Sequence, residues 1–253
     1  ATRVNVTING IPYNDAESQG TFWVNLGDFA SSVENIQLQR GVGTSTNGSA
    51  AFGASLNILT DAISQKAGGQ IANSFGSYNT RKHSLKFTTG LLNDHFEFAG
   101  RLSKIYSDGY VDRAFTDMKS YFLQGTYVGK TTLIKALAFG GKEKTYQSWN
   151  GIDGETLNNN RTFNSAGMYT DEFGQTRFYD NETDNYQQDH YQLLFSQQFG
   201  EYINFNAALH YTYGRGYYEE FVKNDSLKFY KINPVVVGTE RKETYDIVRR
   251  LWL

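Results

Sequence analysis

The chain has 253 residues, with 24 lysines and arginines against 26 aspartates and glutamates, a formal charge of −2. This balance leaves no basic excess for a nucleic-acid backbone, and the absence of cysteine excludes a disulfide scaffold, thiolate metal sites and a cysteine nucleophile. Two prolines, 25 glycines and an aromatic share of 15% favour strands over helices.

Val4, Val6 and Ile8 alternate with polar residues and predict a first strand, which Asn9-Gly10 turns. A loop follows from Pro12 to Phe22, and Asp28 to Ser32 has room for a short helical turn. Val33 to Gln39 alternates again. A glycine-rich stretch from Gly41 to Gly48 comes next, and Ala54 to Thr60 predicts a third strand. Residues 1–62 therefore read as a small, mixed, turn-rich unit, separate from residues 63–253.

From about Gly68 the pattern changes to long strands, predicted near 68–77, 82–90, 95–105, 119–128, 132–146, 188–199, 203–216 and 243–253. Ile203, Phe205, Ala207, Leu209, Tyr211 and Tyr213 fall on one face, and Asn204, Asn206, Ala208, His210 and Thr212 on the other. Phe96, Phe98 and Leu102 against Glu97, Arg101 and Ser103 repeat the pattern, as do Leu85 and Phe87 against Lys86 and Thr88. Period two kept this long means one apolar face and one wet face, and the wet face is expected to lack bulky hydrophobes. Most of these strands have the roughly 9–11 residues that cross a bilayer when tilted. Their connections sort by length: 91–94, 129–131 and 200–202 are tight, whereas 106–118, 147–187 and 216–243 are long. Only 77–81 is short among the long set. Short turns on one side and long loops on the other mark an outer-membrane β-barrel. Tyr78, Tyr106, Tyr110, Phe139, Tyr146 and Trp149 near the long loops, with Phe199 and Tyr202 near the turns, suit two aromatic girdles. A mean hydropathy of −0.54 fits this class, because only every second side chain of a barrel strand meets lipid. The start at Ala1 and the end at Leu251-Trp252-Leu253 are expected to be cut or processed ends.

Other chemistry finds little support. Gly125 to Thr131 approaches a phosphate-binding loop, one residue short and with no following helix to supply a dipole, so a lysine-bearing turn is expected. His83, His95, His190 and His210 lack metal-ligand spacing, although His210 on the wet face leaves a ligand contact open. The acidic pairs Asp171-Glu172 and Glu219-Glu220, with Asp180 to Glu182, suit calcium or a glycosidase carboxylate pair, but acidic loops are ordinarily solvated. No nucleophile with a base partner can be placed, so neither an enzyme nor a cofactor is expected. Two alternatives remain open on periodicity alone. One is a complete eight-stranded barrel with a structural or adhesive role; the other is a secreted, glycan-binding β-sandwich.

Three segments carry a more specific signal: Val6 to Asp15 (VTINGIPYND), Val33 to Gly41 (VENIQLQRG) and Asn47 to Thr60 (NGSAAFGASLNILT). In order and spacing they resemble the second half of the plug of TonB-dependent outer-membrane receptors, and the long strands begin where that family's barrel begins. Val42 stands where the family often has proline, and Ala54 where glycine is common. The resemblance implies an all-β-dominated chain. Residues 1–62 would be the C-terminal half of a mixed α/β plug, and residues 63–253 about eight strands of a barrel of about 22, roughly a third of a receptor. It implies outer-membrane lipid as surroundings, TonB as a partner through a segment outside this chain, and a scarce cargo. An iron chelate (a siderophore) or haem leads, with cobalamin and oligosaccharides open, and the protein performs no bond chemistry on it. It further implies that Glu34 and Arg40 pair with each other or with the barrel wall, and that Gly41, Gly43 and Gly48 serve tight turns. Phe22 and Trp23 fall at the plug apex that faces the ligand, where stacking on cargo and packing inside the plug are both open. Trp149, Tyr169, Phe173 and Tyr179 are the ligand candidates of the aromatic, asparagine-rich loop 147–187, which equally suits a cover over the barrel mouth.

Overall fold

The computed structural model describes residues 3–41, 52–60 and 62–252. The first unit is a four-stranded sheet of β1 (Val4–Ile8), β2 (Ile11–Pro12), β3 (Val33–Arg40) and β4 (Ala54–Thr60), in the order β2-β1-β4-β3. β1 runs parallel to β4, and β3 runs antiparallel to β4. Asn9 (φ 55°) and Gly10 (φ 81°) make the tight turn between β1 and β2, a conformation that suits these two residue types. The Asn9 side-chain Oδ1 then accepts from the Thr60 amide at 3.0 Å and locks the turn to the end of β4. Two 3-10 turns, Trp23–Asn25 and Phe29–Ser32, fill the link to β3. The second falls within the stretch where the sequence leaves room for one.

The second unit is one antiparallel sheet of eight strands: β5 (Gly68–Gly76), β6 (Thr80–Thr88), β7 (Phe96–Ser107), β8 (Thr116–Val128), β9 (Thr132–Tyr146), β12 (Thr183–Phe199), β13 (Ile203–Ser226) and β16 (Thr244–Trp252). Each pairs with its chain neighbours. The loop before β12 holds α1 (Gly154–Asn159) and the hairpin β10 (Met168–Thr170) and β11 (Thr176–Phe178). A second hairpin, β14 (Val235–Val237) and β15 (Glu240–Lys242), precedes β16. The stretch Gly125 to Thr131 is the end of β8 and its turn into β9.

The alternation sorts the sheet's faces as expected. Ile71, Phe75, Leu85, Phe87, Phe98, Leu102, Leu123, Leu193, Phe205 and Leu209 all point outward and are 42–76% exposed. So wide an apolar surface is abnormal for a protein bathed in water. On the inner face Glu97, Arg101, Phe122 and Phe139 are no more than 1% exposed: the first unit covers Arg101, Phe122 and Phe139, and Glu97 accepts from the Ser64 amide and the Thr88 hydroxyl. Val6, Ile8, Phe29 and Ile58 of the plug meet Phe122, Leu137 and Phe139 of the wall in one apolar core.

The structure corrects several expectations. The wet face does carry bulky hydrophobes, Phe122, Leu137 and Phe139, and they sit where the plug covers them. Phe139 is consequently no girdle residue. Tyr146 is not one either: it is buried, and its hydroxyl donates to the Tyr179 carbonyl at 2.7 Å. β12 starts five residues earlier than the periodicity suggests, at Thr183, and β13 runs ten residues past Gly216 to Ser226, pairing with β16 from Tyr217 to Ser226. Gly214 and Gly216 read as a strand end in the sequence, yet they are close-approach sites. A Cβ on Gly214 would lie 2.2 Å from the Tyr186 hydroxyl oxygen. β5 and β16 are the two edges of the sheet and do not pair with each other, which removes the closed eight-stranded barrel. Among the described residues no second sheet covers the outward hydrophobes, which stay exposed, and this removes the sandwich.

Candidate functional site

The plug loop that crosses the wall is built on Asn14. Its side-chain Oδ1 accepts from the Val6 amide at 2.7 Å, and its Nδ2 donates to the carbonyls of Val4 (2.8 Å) and Gln19 (3.1 Å). Asp15 closes the next turn by accepting from the amides of Ser18 (2.6 Å) and Glu17 (3.1 Å). Those bonds, the Ser18 ones foremost, hold its carboxyl below the usual carboxylate range.

Between this loop and the inner wall of β9, β12 and β13 lies a cavity of about 890 Å³. The plug contributes Tyr13, Asp15 and Phe22; the wall contributes Phe139, Tyr186, Gln188, His190, His210 and Tyr218; Trp149 enters from the loop before α1. His190 lines it from β12. The imidazole stacks on Phe139 at 4.8 Å and 16°, with the Tyr13 ring 5.5 Å away. Nδ1 meets the Thr212 hydroxyl at 3.0 Å, and Nε2 has no partner among the described residues. Tyr13 donates toward Gln188 Oε1 at 3.4 Å. Burial, then the neighbouring Tyr186 and Glu143, push its hydroxyl pKa up, so Tyr13 acts as a neutral donor. The lining is therefore ring faces with a few directional amide, imidazole and hydroxyl groups, a composition fit for a planar or aromatic ligand of moderate size.

Beside the cavity a polar latch ties plug to wall. Asp28 sits just ahead of the second 3-10 turn, with its side chain 7% exposed. It accepts from Lys82 Nζ at 2.5 Å, Arg101 Nη1 at 2.9 Å, the Ser31 hydroxyl at 2.6 Å and the Ser103 hydroxyl. Arg101 also donates from Nε to the Ser32 hydroxyl at 2.7 Å. Burial alone would raise the Asp28 pKa. The hydrogen bonds from Lys82, Ser103 and Ser31 and the charge of Arg101 outweigh it and hold the carboxyl below its ordinary value.

Of the candidates named from sequence, Phe22 and Trp149 line the cavity. Trp23 stands outside its lining, half exposed, with its ring 6.4 Å from Tyr13. Tyr169 and Tyr179 flank Phe221 at 4.6 and 5.6 Å, and Tyr179 donates to Glu219 Oε1 at 2.7 Å. Phe173 is 78% exposed, in the turn between β10 and β11. Glu34 and Arg40 are exposed on β3, the edge strand of the plug sheet, and neither makes an ion pair among the described residues. Gly41 has φ 78°, and its amide donates to the Gly53 carbonyl at 2.9 Å, a turn that favours glycine. Gly43 and Gly48 lie outside the described residues. Sequence reasoning missed Tyr13, Tyr186, Gln188, His190 and Tyr218. The wall residues among them lie in phase with the wet face, two by two from His210 and Gln192 across the strand pairing. That phase is the signal that could have found them.

No protein-family model and no curated protein sequence matches the chain. Solved structures do. The ferric-catecholate import receptor Fiu from E. coli K12, in its open form, superposes with a TM-score of 0.63 at 14% identity over 87% of this chain and 33% of that one. The siderophore receptor PiuA from Acinetobacter baumannii gives 0.63 at 12% over 85% and 29%. The ferric yersiniabactin uptake receptor FyuA from Yersinia pestis gives 0.60 at 15% over 87% and 34%. The chain thus spans about a third of the length of these structures. Its fold is the plug-and-barrel fold of TonB-dependent receptors, the class that its plug segments resemble. The matched proteins are import receptors rather than enzymes.

Proposed function

We propose that this chain is part of a TonB-dependent receptor in the bacterial outer membrane, one that imports a ferric chelate of the siderophore type or haem. The observation that carries the reading is the ring-lined cavity between plug loop and inner wall, set in a sheet whose outer face is apolar. The exposed outward hydrophobes match a lipid-facing belt, and the sorting of long loops to one side matches an outer-membrane wall. Cargo would enter from the long-loop side, past Trp149, and rest against Tyr13, Tyr186 and His190. Iron that arrives already wrapped in its chelator needs recognition of the chelator's rings and polar edges, which is what this lining offers. TonB, through a segment outside this chain, would then displace the plug and open a path. Residues 1–62 act in this reading as the second half of the plug and residues 63–253 as the first part of the barrel.

The test is equilibrium binding to the purified full-length receptor in detergent, with a panel of ferric catecholates, a ferric hydroxamate and haem titrated against intrinsic tryptophan fluorescence. Tyr186→Ala and Trp149→Ala are expected to weaken the preferred member at least tenfold, the equivalent of about 1.5 kcal/mol for one lost ring contact. Unchanged affinity for every bound member in both variants would reject the cavity as the cargo site.

A further inference from the structure

The outer face of the sheet carries a feature that cargo uptake does not need. The strand register places His83, Lys104, Lys119, Lys142, Gln187 and Arg215 side by side across six adjacent strands. All point outward, and all but Gln187 are exposed. The next outward row toward the short turns, beginning Leu85, Leu102 and Tyr121, belongs to the apolar belt. Adjacent strands lie about 4.8 Å apart, and like charges placed directly opposite destabilise a sheet. Lys104 faces Lys119 and Lys119 faces Lys142, two such pairs in succession.

Internal counter-charge is thin. Asp117 reaches Lys104 at 3.5 Å. Asp189, one row down, accepts from the Tyr121 hydroxyl (2.9 Å) and the Gln187 amide (3.0 Å) instead. Lys119 and Lys142 make no ion pair among the described residues. A depression of about 640 Å³ runs across this boundary, with Leu85 and Leu102 at its apolar end and His83, Lys104, Lys119 and Lys142 at its charged end. The row lies at the long-loop ends of β7, β8 and β9, just above the belt.

We propose that this row is a headgroup site for a phosphorylated lipid of the outer leaflet: the phosphates rest on Lys104, Lys119 and Lys142, and the acyl chains lie down the apolar belt below. The proposal rests on the outer-membrane reading and deepens it, from a wall that meets lipid to a wall that selects a phosphorylated one. The charge is complementary, the groove joins charged and apolar ends in the order a lipid presents them, and the bound anion relieves the facing lysines.

The experiment uses the full-length receptor in detergent and in lipid nanodiscs. Affinity is measured for diphosphoryl lipid A, for the same lipid after enzymatic dephosphorylation, and for inorganic phosphate. Each lysine at a membrane surface is worth about a fivefold change in affinity for anionic lipid, so K104Q/K119Q/K142Q should bind diphosphoryl lipid A roughly a hundredfold more weakly. K104R/K119R/K142R should bind it as the native protein does, and Lys130→Gln, in a short turn at the opposite end of the wall, should change nothing. The native protein should prefer the phosphorylated lipid by a similar margin, a comparison that needs no variant. Equal affinity for the dephosphorylated lipid, or a glutamine variant that binds like the native protein, would overturn the proposal. Inorganic phosphate competing on its own at comparable concentration would overturn it too, in favour of a bare anion site. A receptor that enters nanodiscs without discriminating headgroups defeats only this site, whereas one that never requires a membrane defeats the outer-membrane reading as well.

Discussion

The Asp28 latch gives the sharpest test of how plug and wall hold together. In Asp28→Asn the side chain keeps its size and one acceptor oxygen but loses its charge. Arg101 is 1% exposed, and its guanidinium and Lys82 both converge on the Asp28 carboxylate, so the substitution withdraws a charge that two cations share. Breaking a buried ion pair from one side costs about 3–5 kcal/mol. Lys82 is 31% exposed on its side chain, so water replaces much of its share. Arg101 keeps other partners, the Ser32 and Ser120 hydroxyls among them, so the lower end of the range, about 3 kcal/mol, is the expected loss.

The readout is amide hydrogen exchange of the full-length protein in detergent. Phe29, Ser31 and Val33 donate their amides within the 3-10 turn, to Leu26, Asp28 and Ala30. They exchange only when that turn opens, so their rates should rise by more than a hundredfold, which is what about 3 kcal/mol gives. The amides of β6 and β7, held in the sheet ladder, should keep their protection. The acid side carries the matching signature. A depressed carboxyl pKa gives stability that is present above the unfolded value near 3.9 and lost as pH falls through the folded value. Native protein should therefore keep the turn protected from neutrality to about pH 5 and lose the latch's share only below about pH 4, whereas Asp28→Asn should show no such step. Unchanged protection in the variant, or a loss spread equally over the wall strands, would refute the idea of a local clasp.

Three further outcomes follow from the same geometry. Phe139→Ala removes a ring that is 1% exposed and touches both Phe29 and His190, so it should destabilise the plug–wall core by about 3–5 kcal/mol; a thermal unfolding midpoint equal to that of the native protein would contradict it. Phe173→Ala should leave cargo affinity within about twofold, because an exposed ring in the β10–β11 turn has little to lose on truncation; a tenfold loss in titration would move the site toward that hairpin. Gly214→Ala puts a Cβ 2.2 Å from the Tyr186 hydroxyl, so it should displace that ring and weaken cargo binding with Tyr186→Ala epistatic to it; additive losses in the double variant would show that the two act separately.

The sequence makes the sheet legible because a strand with one lipid-like and one wet face has to write period two. Eight strands, their order along the chain and the identity of the outward residues all follow from it. It fails where the wall rises past the apolar belt. Above that level both faces meet polar surroundings, alternation fades, and the last ten residues of β13 look like loop although they ladder onto β16. It fails again where two units meet. Phe122 and Phe139 carry no mark that separates a ring pressed on a plug from a ring facing lipid; only their phase does, and Phe139 read by position alone resembles a girdle residue. The site suffers from the same gap. Aromatic residues concentrate in the stretch from 147 to 187, and Trp149 does reach the cavity, but Tyr169 and Tyr179 are consumed in packing on Phe221. His190 and Tyr186 matter because Phe139, Tyr13 and two glycines on the next strand shape the space around them, a fact that spans more than 200 residues of sequence.

The two kinds of contact between plug and wall answer a displacement, such as the proposed uptake requires, in different ways. The core of Val6, Ile8, Phe29 and Ile58 against Phe122, Leu137 and Phe139 is apolar, and apolar contact is non-directional: its energy follows buried area and survives a small slide. The Asp28 cluster is the reverse. Its bonds depend on distances near 2.5–2.9 Å, so a shift of an ångström or two breaks them. A pull on the plug should therefore meet a sharp threshold at the 3-10 turn and a shallow resistance afterwards. The cavity shares Tyr13 and Phe22 with the same plug loop, and the latch lies six residues beyond Phe22. Under the proposed function, a cargo that displaces that loop would act on a short lever against Asp28 without touching the latch.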